Sequence, residues 1–333
     1  MLDRFLLLWL CLSSLLAYLW PQFGIHQIGD PFVLGKQSLP QVIFVTMFCV
    51  GWLLPRKEVK QLFVRWPTVL FGTFVQYTSM PMLAYAISEI LPLSDDAQLG
   101  IIMVGCVPGA MASNVLTILA RGNISYSVSL TTSATICSPF FVPLILQYML
   151  KAKGLDAEVQ VDPAKTFWFL CWTVVIPIVV GHLVGTSIQK GRRLTSRIAK
   201  ALASLSILWI IAVVVGINRD VLSEGSQTTI IAVLALNILG YVVGVVAGKA
   251  FGIEVGMRRA LAIEIGMQNA GLGTAMASTI FADRPQVLIP TALFTFGCMF
   301  TGTILASWWN RYPPNDEFED EPPHLSGKSS DLN

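Results

Sequence analysis

The sequence predicts an all-α membrane protein that crosses the bilayer many times. Of its 333 residues, 54% are hydrophobic and only 13% are charged, about half the charged share of a typical soluble protein. The mean hydropathy is +0.66, and long apolar runs alternate with short charged or Pro/Gly-rich breaks. The net charge of +2 is small and spread along the chain, which gives no indication of nucleic-acid binding.

Ten apolar runs are candidate transmembrane helices. They cover residues 5–20, 39–54, 67–90, 98–120, 126–150, 164–185, 199–217, 228–249, 260–281 and 286–309. The first run resembles a signal peptide, but no small-x-small cleavage site follows in residues 21–28, so we expect it to remain as the first helix.

The distribution of basic residues supports this arrangement. If the N-terminus is cytoplasmic, 16 Lys and Arg residues fall in cytoplasmic segments and 6 fall on the other side. We therefore expect a multi-pass protein of the cell (inner) membrane with both termini in the cytoplasm. Residues 1–309 form the transmembrane unit, and the acidic, Pro-rich tail 310–333 is predicted to be disordered.

Ten spans divide into two sets of five, and because five is odd the second set must be inverted. The fourth member of each set is unusual. Span 98–120 contains Pro108 and Gly109 just before Ser113, and span 260–281 has a cluster of glycines and amides at 266–273. Interrupted helices at corresponding positions of inverted halves indicate a transport site. The sequence thus predicts that helices 4 and 9 are broken and cross.

Glu264 is the only formally charged residue in its span. A carboxylate in hydrocarbon costs about 2.5–3.5 kcal/mol, so it needs a partner, a proton or a wet cavity. Sodium prefers hard oxygen ligands, and the chain offers them near the midplane. The candidates are Glu264, Gln76, Asn114, Gln268, Ser113, Ser127, Thr131 and carbonyls freed at the breaks. One carboxylate has two oxygens, so two sodium ions can share it.

Anion recognition is expected at the same crossing. The second half of each broken helix begins with backbone N–H groups and a positive dipole end, which can hold a carboxylate where no basic residue is near. We expect Asn269 to assist these donors, with Gly109, Met111 and Ala112 shaping the pocket.

Other interpretations of these residues remain open. Ser127 and Thr131 are also typical of hydroxyls that bond their own helix, and Gln76 and Asn237 of amides that join helices. A proton-coupled carrier with Glu264 as the titrating group is the main alternative function. A channel or sensor is another. We do not expect an enzyme, since the chain has no paired intramembrane aspartates, no His/Glu metal spacing and no GxSxG.

Three stretches carry a resemblance to a known family. GCVPGAMASNVLTILARGNISYSVSLTT at 105–132, EIGMQNAGLGTAMA at 264–277 and, more weakly, VQYTSMP at 75–81 are similar to motifs of the bile acid:sodium symporter family, particularly its bacterial members. The order of the motifs and the ten-span layout extend the resemblance over nearly the whole chain up to the tail.

The resemblance implies a ten-helix fold with a panel domain (helices 1, 2, 6 and 7) and a core domain (helices 3–5 and 8–10). It implies one sodium site of Ser113, Asn114, Ser127, Thr131 and Glu264. The other would use Gln76, Glu264, Gln268 and the backbone carbonyls of Ile265 and Met267. The implied activity is sodium-coupled import of a small organic anion by alternating access.

The chain departs from the family pattern at the first break. Many members have Gly-Gly-Thr where this sequence has Gly109, Ala110 and Met111. The change removes a hydroxyl beside the expected substrate carboxylate and adds bulk. The substrate is thus left open among bile acid-like, pantoate-like and 2-oxo acid solutes, and no obligate protein partner is evident.

Overall fold

A lipid bilayer favours helices, because a backbone in hydrocarbon can satisfy its N–H and C=O groups only by internal hydrogen bonds. The computed structural model describes residues 6–23, 29–154, 161–188, 192–219 and 227–312. Within these ranges the regular structure is helical, and extended pairing is confined to one isolated bridge. The predicted all-α, polytopic fold class is confirmed.

The first half of the described chain forms eight α-helices. They are α1 (Leu6–Leu19), α2 (Pro31–Leu34), α3 (Leu39–Leu53), α4 (Arg56–Val64), α5 (Trp66–Ile90), α6 (Asp95–Cys106), α7 (Ala112–Leu119) and α8 (Ile124–Ala152). Side chains that accept from first-turn N–H groups fix three of the starts. Asp30 caps α2, Ser94 caps α6 and Asn123 caps α8.

The second half of the described chain forms seven α-helices. They are α9 (Pro163–Leu170), α10 (Ile176–Ser187), α11 (Arg192–Ile217), α12 (Gln227–Ala250), α13 (Val255–Gly266), α14 (Ala270–Ile280) and α15 (Leu288–Asn310). A single π-helical turn, Cys171–Val175, joins α9 to α10, so the predicted sixth span is one continuous rod.

Six helices in the described ranges are long and apolar enough to cross a membrane. They are Pro31–Leu53, Ile124–Ala152, Pro163–Ser187, Leu194–Ile217, Gln227–Ala250 and Pro285–Asn310. The predicted fourth and ninth spans are not among them because each is divided into two short helices. Every predicted run overlaps a helix or a pair of helices, while the ten-span count and the inverted repeat remain predictions.

The two interruptions meet in the structure. α6 ends at Cys106 and α7 begins at Ala112, whereas α13 ends at Gly266 and α14 begins at Ala270. The extended residues between these helices pair in antiparallel fashion at Gly109 and Gln268. Two hydrogen bonds join the breaks, from Asn269 N to the Pro108 carbonyl and from Ala110 N to the Met267 carbonyl, so each break satisfies part of the backbone of the other, as a membrane interior requires.

The helices of the described chain pack into two groups. α3 packs against α10 and α11, and α11 packs against α1. In the other group α5 packs against α6, α8 and α12, while α12 also packs against α13 and α15. The α3–α10 contact is close, since a Cβ on Gly51 would overlap the Ile178 carbonyl and one on Gly181 would overlap that of Phe48. The first group contains helices that the resemblance assigns to the panel domain, and the second contains helices that it assigns to the core domain. The division into two domains remains a prediction.

One helix lies where the sequence suggested only a charged loop. α4 is amphipathic, with Arg56, Lys57 and Lys60 exposed, and its Glu58 accepts a 2.5 Å hydrogen bond from Ser125 at the start of α8. At the other end of the chain, α15 continues to Asn310, one residue into the predicted tail. The tail residues 313–333 lie outside the described ranges.

Candidate functional site

Glu264 lies in the last turn of α13, at the crossing, and is fully buried. Its Oε2 accepts a hydrogen bond of 2.6 Å from Ser113 Oγ on α7 and one of 2.7 Å from Thr131 Oγ1 on α8. Two of the predicted ligands, from α7 and α8, thus converge on one carboxylate oxygen of a third, Glu264 on α13. Hydrogen bonds to a charged acceptor are the strong kind, worth about 1.5–3 kcal/mol each.

Two buried acceptors at this point have no hydrogen-bond partner among the described residues. They are the other carboxylate oxygen, Glu264 Oε1, and the amide oxygen Oδ1 of Asn114. The amide nitrogen of Asn114 faces Met111 Sδ at 3.7 Å, which leaves the oxygen as the unused end. A buried acceptor without a donor costs about 1–3 kcal/mol, and more when it is charged. Both oxygens are hard donors of the kind that bind alkali and alkaline-earth cations.

Ser127 is hydrogen-bonded to a member of this group, and its hydroxyl pairs with Thr117 instead of with the carboxylate. Its Oγ is 3.1 Å from Thr117 Oγ1, and its backbone oxygen accepts a 3.1 Å bond from Thr131 Oγ1. Thr117 was not predicted as part of the site. It lies four residues after Ser113 on α7, so its position one turn along the same face was the available signal.

A second set of predicted residues is connected through Gln268. Gln76 Nε2 donates to Gln268 Oε1 at 3.3 Å, and Gln268 Nε2 donates to the Ile265 carbonyl at 2.8 Å. The Met267 carbonyl accepts a 2.8 Å bond from Ala110 N on the opposite break. The structure therefore brings Gln76, Gln268 and Ile265 into one hydrogen-bonded set, with Met267 directing its carbonyl to the other chain segment.

Gly109 is placed against Glu264 and is not among the residues that line the neighbouring cavity. A Cβ at position 109 would overlap Glu264 Oε1 and Cδ. Glycine is thus required here for the close approach of the backbone to the carboxylate.

A cavity of about 110 Å³ opens beside the crossing and includes Asn269, Met111 and Ala112 in its lining. On one side it is bounded by α1, α3 and α11, and on the other by the two breaks and α15. No Asp, Glu, Lys, Arg or His occurs among the described residues that line it. A ligand there meets apolar side chains and a few uncharged polar groups.

Two helix N-termini reach this cavity. α7 begins at Ala112 and α14 at Ala270, and both Ala112 and Gly271 line the cavity. The N-terminal end of a helix carries a partial positive charge. Several of the first N–H groups here already have acceptors, since Ser113 N and Asn114 N donate to the carbonyls of Ala110 and Met111 and Ala270 N donates to that of Gln268, so the positive end of each helix is the main attraction for an anion. Asn269 caps α14 through a 3.0 Å bond from Leu272 N to its Oδ1, so this amide can offer only Nδ2 donors to a ligand.

Asn237 is a further polar residue at the crossing, one whose role the sequence left open. It lies on α12, is fully buried, and donates a 2.6 Å bond from Nδ2 to the Gly266 carbonyl at the second break. A lone amide in an apolar span was the only available signal, and such amides are common in helix packing.

Comparison with known proteins identifies the family. The family model described as "Sodium Bile acid symporter family" matches residues 40–225, more than half of the chain. The chain belongs to this family. It is accordingly a multi-pass membrane transporter of a sodium symporter family and is not an enzyme.

Curated relatives agree with this assignment. The uncharacterized sodium-dependent transporter YocS of Bacillus subtilis is 34% identical over 271 residues, covering 80% of this chain and 81% of that protein. The probable sodium/metabolite cotransporter BASS1, chloroplastic, of rice (Oryza sativa subsp. japonica) is 29% identical over 289 residues, 86% of this chain and 70% of its own. The human hepatic sodium/bile acid cotransporter is 23% identical over 257 residues, with 76% and 72% coverage.

Proposed function

We propose that this protein is a secondary active symporter that imports a small organic carboxylate together with sodium. The observation that carries the proposal is the pair of buried, unpaired oxygens at the crossing, Glu264 Oε1 and Asn114 Oδ1. Family membership supports the coupling ion, because relatives that cover most of the chain are named as sodium-dependent transporters or cotransporters.

The first proposed sodium site uses Glu264, Asn114, Ser113, Thr131 and Ser127. Ser113 and Thr131 hold the carboxylate through Oε2, so its Oε1 has a fixed direction. Binding there replaces an unsatisfied acceptor by a coordinated one, which removes the cost of the buried oxygen. The ion is held by oxygen ligands from α7, α8 and α13, so its binding joins both halves of the chain.

The second proposed sodium site uses Gln76, Gln268, Glu264 and the carbonyls of Ile265 and Met267. In the structure Gln268 Nε2 donates to the Ile265 carbonyl, so the amide must turn its Oε1 toward an ion that binds there. Gln76 has to turn with it, because its Nε2 now donates to that same oxygen. Two ions per cycle would let the sodium gradient move a monovalent anion uphill.

The substrate is proposed to bind in the cavity beside the crossing. Its carboxylate meets the N-termini of α7 and α14 and the Nδ2 donors of Asn269, and its body meets Met111 and other apolar side chains. Because one water-sized group needs about 10–15 Å³, the cavity accommodates on the order of ten such groups. That size favours a pantoate-like or 2-oxo acid solute over a bile acid.

Alternating access is supported by the position of the cavity. It lies between α1, α3 and α11, which correspond to the proposed panel, and the breaks and α15 of the proposed core. Movement of one group against the other would open this space to each side of the membrane in turn. We place the protein in the inner membrane with both termini in the cytoplasm, from the excess of basic residues in those segments.

Uptake by reconstituted vesicles tests the proposed function. Purified protein in liposomes is supplied with labelled pyruvate, pantoate or taurocholate under an inward sodium gradient. We expect sodium-dependent accumulation of one of the smaller anions, loss of that accumulation in Glu264→Gln, and retention in Glu58→Gln. Glu58 is a matched control because it also accepts a serine hydroxyl but lies on α4.

The same vesicles distinguish sodium from proton coupling. An inward proton gradient without sodium should drive no accumulation if the proposal is right. Accumulation that follows the pH gradient and ignores sodium would replace it with a proton-coupled carrier in which Glu264 titrates.

A further inference from the structure

We infer that Asn237 is a positioning residue for the second sodium site, holding the break of the ninth span by its main chain. The inference rests on the proposed function, because it concerns the carbonyls that this function assigns to the ion. Asn237 lies outside the ligand set that the resemblance implies, and its hydrogen bond to the break is made to a main-chain atom.

The contact is made at the end of the interrupted helix. Gly266 is the last residue of α13, and its carbonyl is one of those that a helix C-terminus leaves without an intrahelical donor. Asn237 Nδ2 donates to this oxygen at 2.6 Å. In a membrane interior without water, the side chain thereby satisfies a main-chain acceptor that the interruption exposes.

The orientation of the amide follows from its two contacts. Thr301 Oγ1 on α15 is within hydrogen-bond distance of Asn237 Oδ1 and of the Gly297 carbonyl in its own helix, and Tyr241 OH lies 3.3 Å from Thr301 Oγ1. Because a carbonyl oxygen can only accept, the nitrogen end of the amide must face Gly266, and its oxygen end then faces the Thr301 hydroxyl. α12 and α15 therefore hold one carbonyl of the break in one direction.

That direction determines where the neighbouring carbonyls point. Met267 has an extended backbone, with φ −113° and ψ 93°, and successive carbonyls of extended chain point to opposite sides. With the Gly266 carbonyl turned to α12, the Met267 carbonyl faces the opposite break at Ala110, and the Ile265 carbonyl faces Gln268. Asn237 thus binds the Gly266 carbonyl, which lies between the two proposed ligand carbonyls, and holds the chain where the helical residue Ile265 is followed by the extended residue Met267.

Packing brings α12 directly against the break. A Cβ on Gly266 would overlap the Tyr241 ring, and one on Gly240 would lie 2.9 Å from Gly266 Cα. α12 is therefore in direct contact with the break, and Asn237 is its polar contact point. Gln76 on α5 reaches the same segment through Gln268, so an amide from the third predicted span of each half holds residues 266–268.

A sodium titration of thermal stability tests the inference. Purified wild type and Asn237→Ala are melted across a series of sodium concentrations at constant ionic strength, with choline as the replacement cation. We expect the sodium half-saturation concentration of Asn237→Ala to rise on the order of ten-fold, with substrate uptake restored at saturating sodium. Asn218→Ala is the matched control, since Asn218 is also buried and also donates Nδ2 to a backbone carbonyl, that of Val214 in its own helix.

Thr301→Val provides a second variant that keeps the shape of the site. It removes the hydroxyl that faces the amide oxygen, and we expect a smaller rise in half-saturation, roughly three-fold. If Asn237→Ala does not fold, the sodium titration of Thr301→Val decides the test. A lower melting temperature in both variants with an unchanged sodium half-saturation would overturn the inference and leave Asn237 a packing residue. Wild type that is not stabilised by sodium would instead contradict the proposed function.

Discussion

Gly109→Ala places one methyl group against the Glu264 carboxylate, where neither side can easily move away. The added Cβ would overlap Oε1 and Cδ and lie 3.2 Å from Cγ. The backbone at 109 is held on both flanks, by bonds of 2.7 Å from Asn269 N to the Pro108 carbonyl and 2.8 Å from Ala110 N to the Met267 carbonyl. The carboxylate is held by its two hydroxyl donors.

The size of the effect follows from these contacts. Turning the carboxylate fully away would break two hydrogen bonds to a charged group and cost about 3–6 kcal/mol in total. A partial shift of the carboxylate, at an overpacking cost of about 1–3 kcal/mol, is therefore favoured. If the shift moves the charge from about 3 to about 5 Å from a bound cation, attraction falls by about 2 kcal/mol at an effective dielectric constant near 20. Sodium affinity should then fall roughly 30-fold.

The measurement is the sodium concentration that gives half-maximal thermal stabilisation of the purified protein. Gly273→Ala is the matched control, because a Cβ there meets only Thr291 and Val107 side chains at 3.5 Å or more. We expect Gly109→Ala to shift the half-saturation strongly and Gly273→Ala to leave it near the wild-type value. An unchanged half-saturation in Gly109→Ala would refute the placement of a sodium ion at this carboxylate.

Three further changes test other parts of the structure. Arg259→Met removes guanidinium bonds to three carbonyls at or just beyond helix ends and should destabilise the protein by about 2–4 kcal/mol in denaturant unfolding, with only partial recovery in Arg259→Lys. Burial raises the pKa of Asp30, but the Arg219 guanidinium and two backbone N–H groups lower it more, so the net pKa lies below its usual range. Asp30→Asn keeps the helix cap and loses the ion pair. It should cost up to about 1 kcal/mol at pH 7, and its difference from wild type in thermal melting should shrink below about pH 4, as the ionised carboxylate is lost. Met111→Ala removes apolar contact from the cavity without adding a hydroxyl, and uptake assays should show KM for an apolar-bodied carboxylate raised roughly ten-fold with sodium half-saturation little changed.

The positions of the two breaks were predictable because their causes are local. Pro108 lacks a backbone donor, and glycines and amides follow Glu264 directly, so a helix cannot run through either segment undisturbed. In the structure, residues 107–111 separate α6 from α7, and residues 267–269 separate α13 from α14. Helix bounds were predictable to a similar degree where apolar runs end sharply, as at Leu39–Leu53 of α3.

Partners across the fold were not predictable from local pattern. The bond from Asn237 to Gly266 joins residues on different helices and depends on how α12 is rotated and shifted against α13. Arg259 appears in the sequence as an interfacial charge, yet it is buried and binds the carbonyls of Ala120, Trp309 and Tyr312. α4 was missed because its charges suggested a loop, although its charged and apolar positions alternate with helical period.

Direct binding of radioactive sodium to the purified protein tests the central claim, that the Glu264 carboxylate at the helix crossing holds the ion. Wild type should show saturable binding that excess unlabelled sodium displaces and choline does not. Glu264→Gln keeps the size of the side chain and removes its charge, so it should show no saturable binding over the same range. Saturable binding by Glu264→Gln with wild-type affinity would contradict the account.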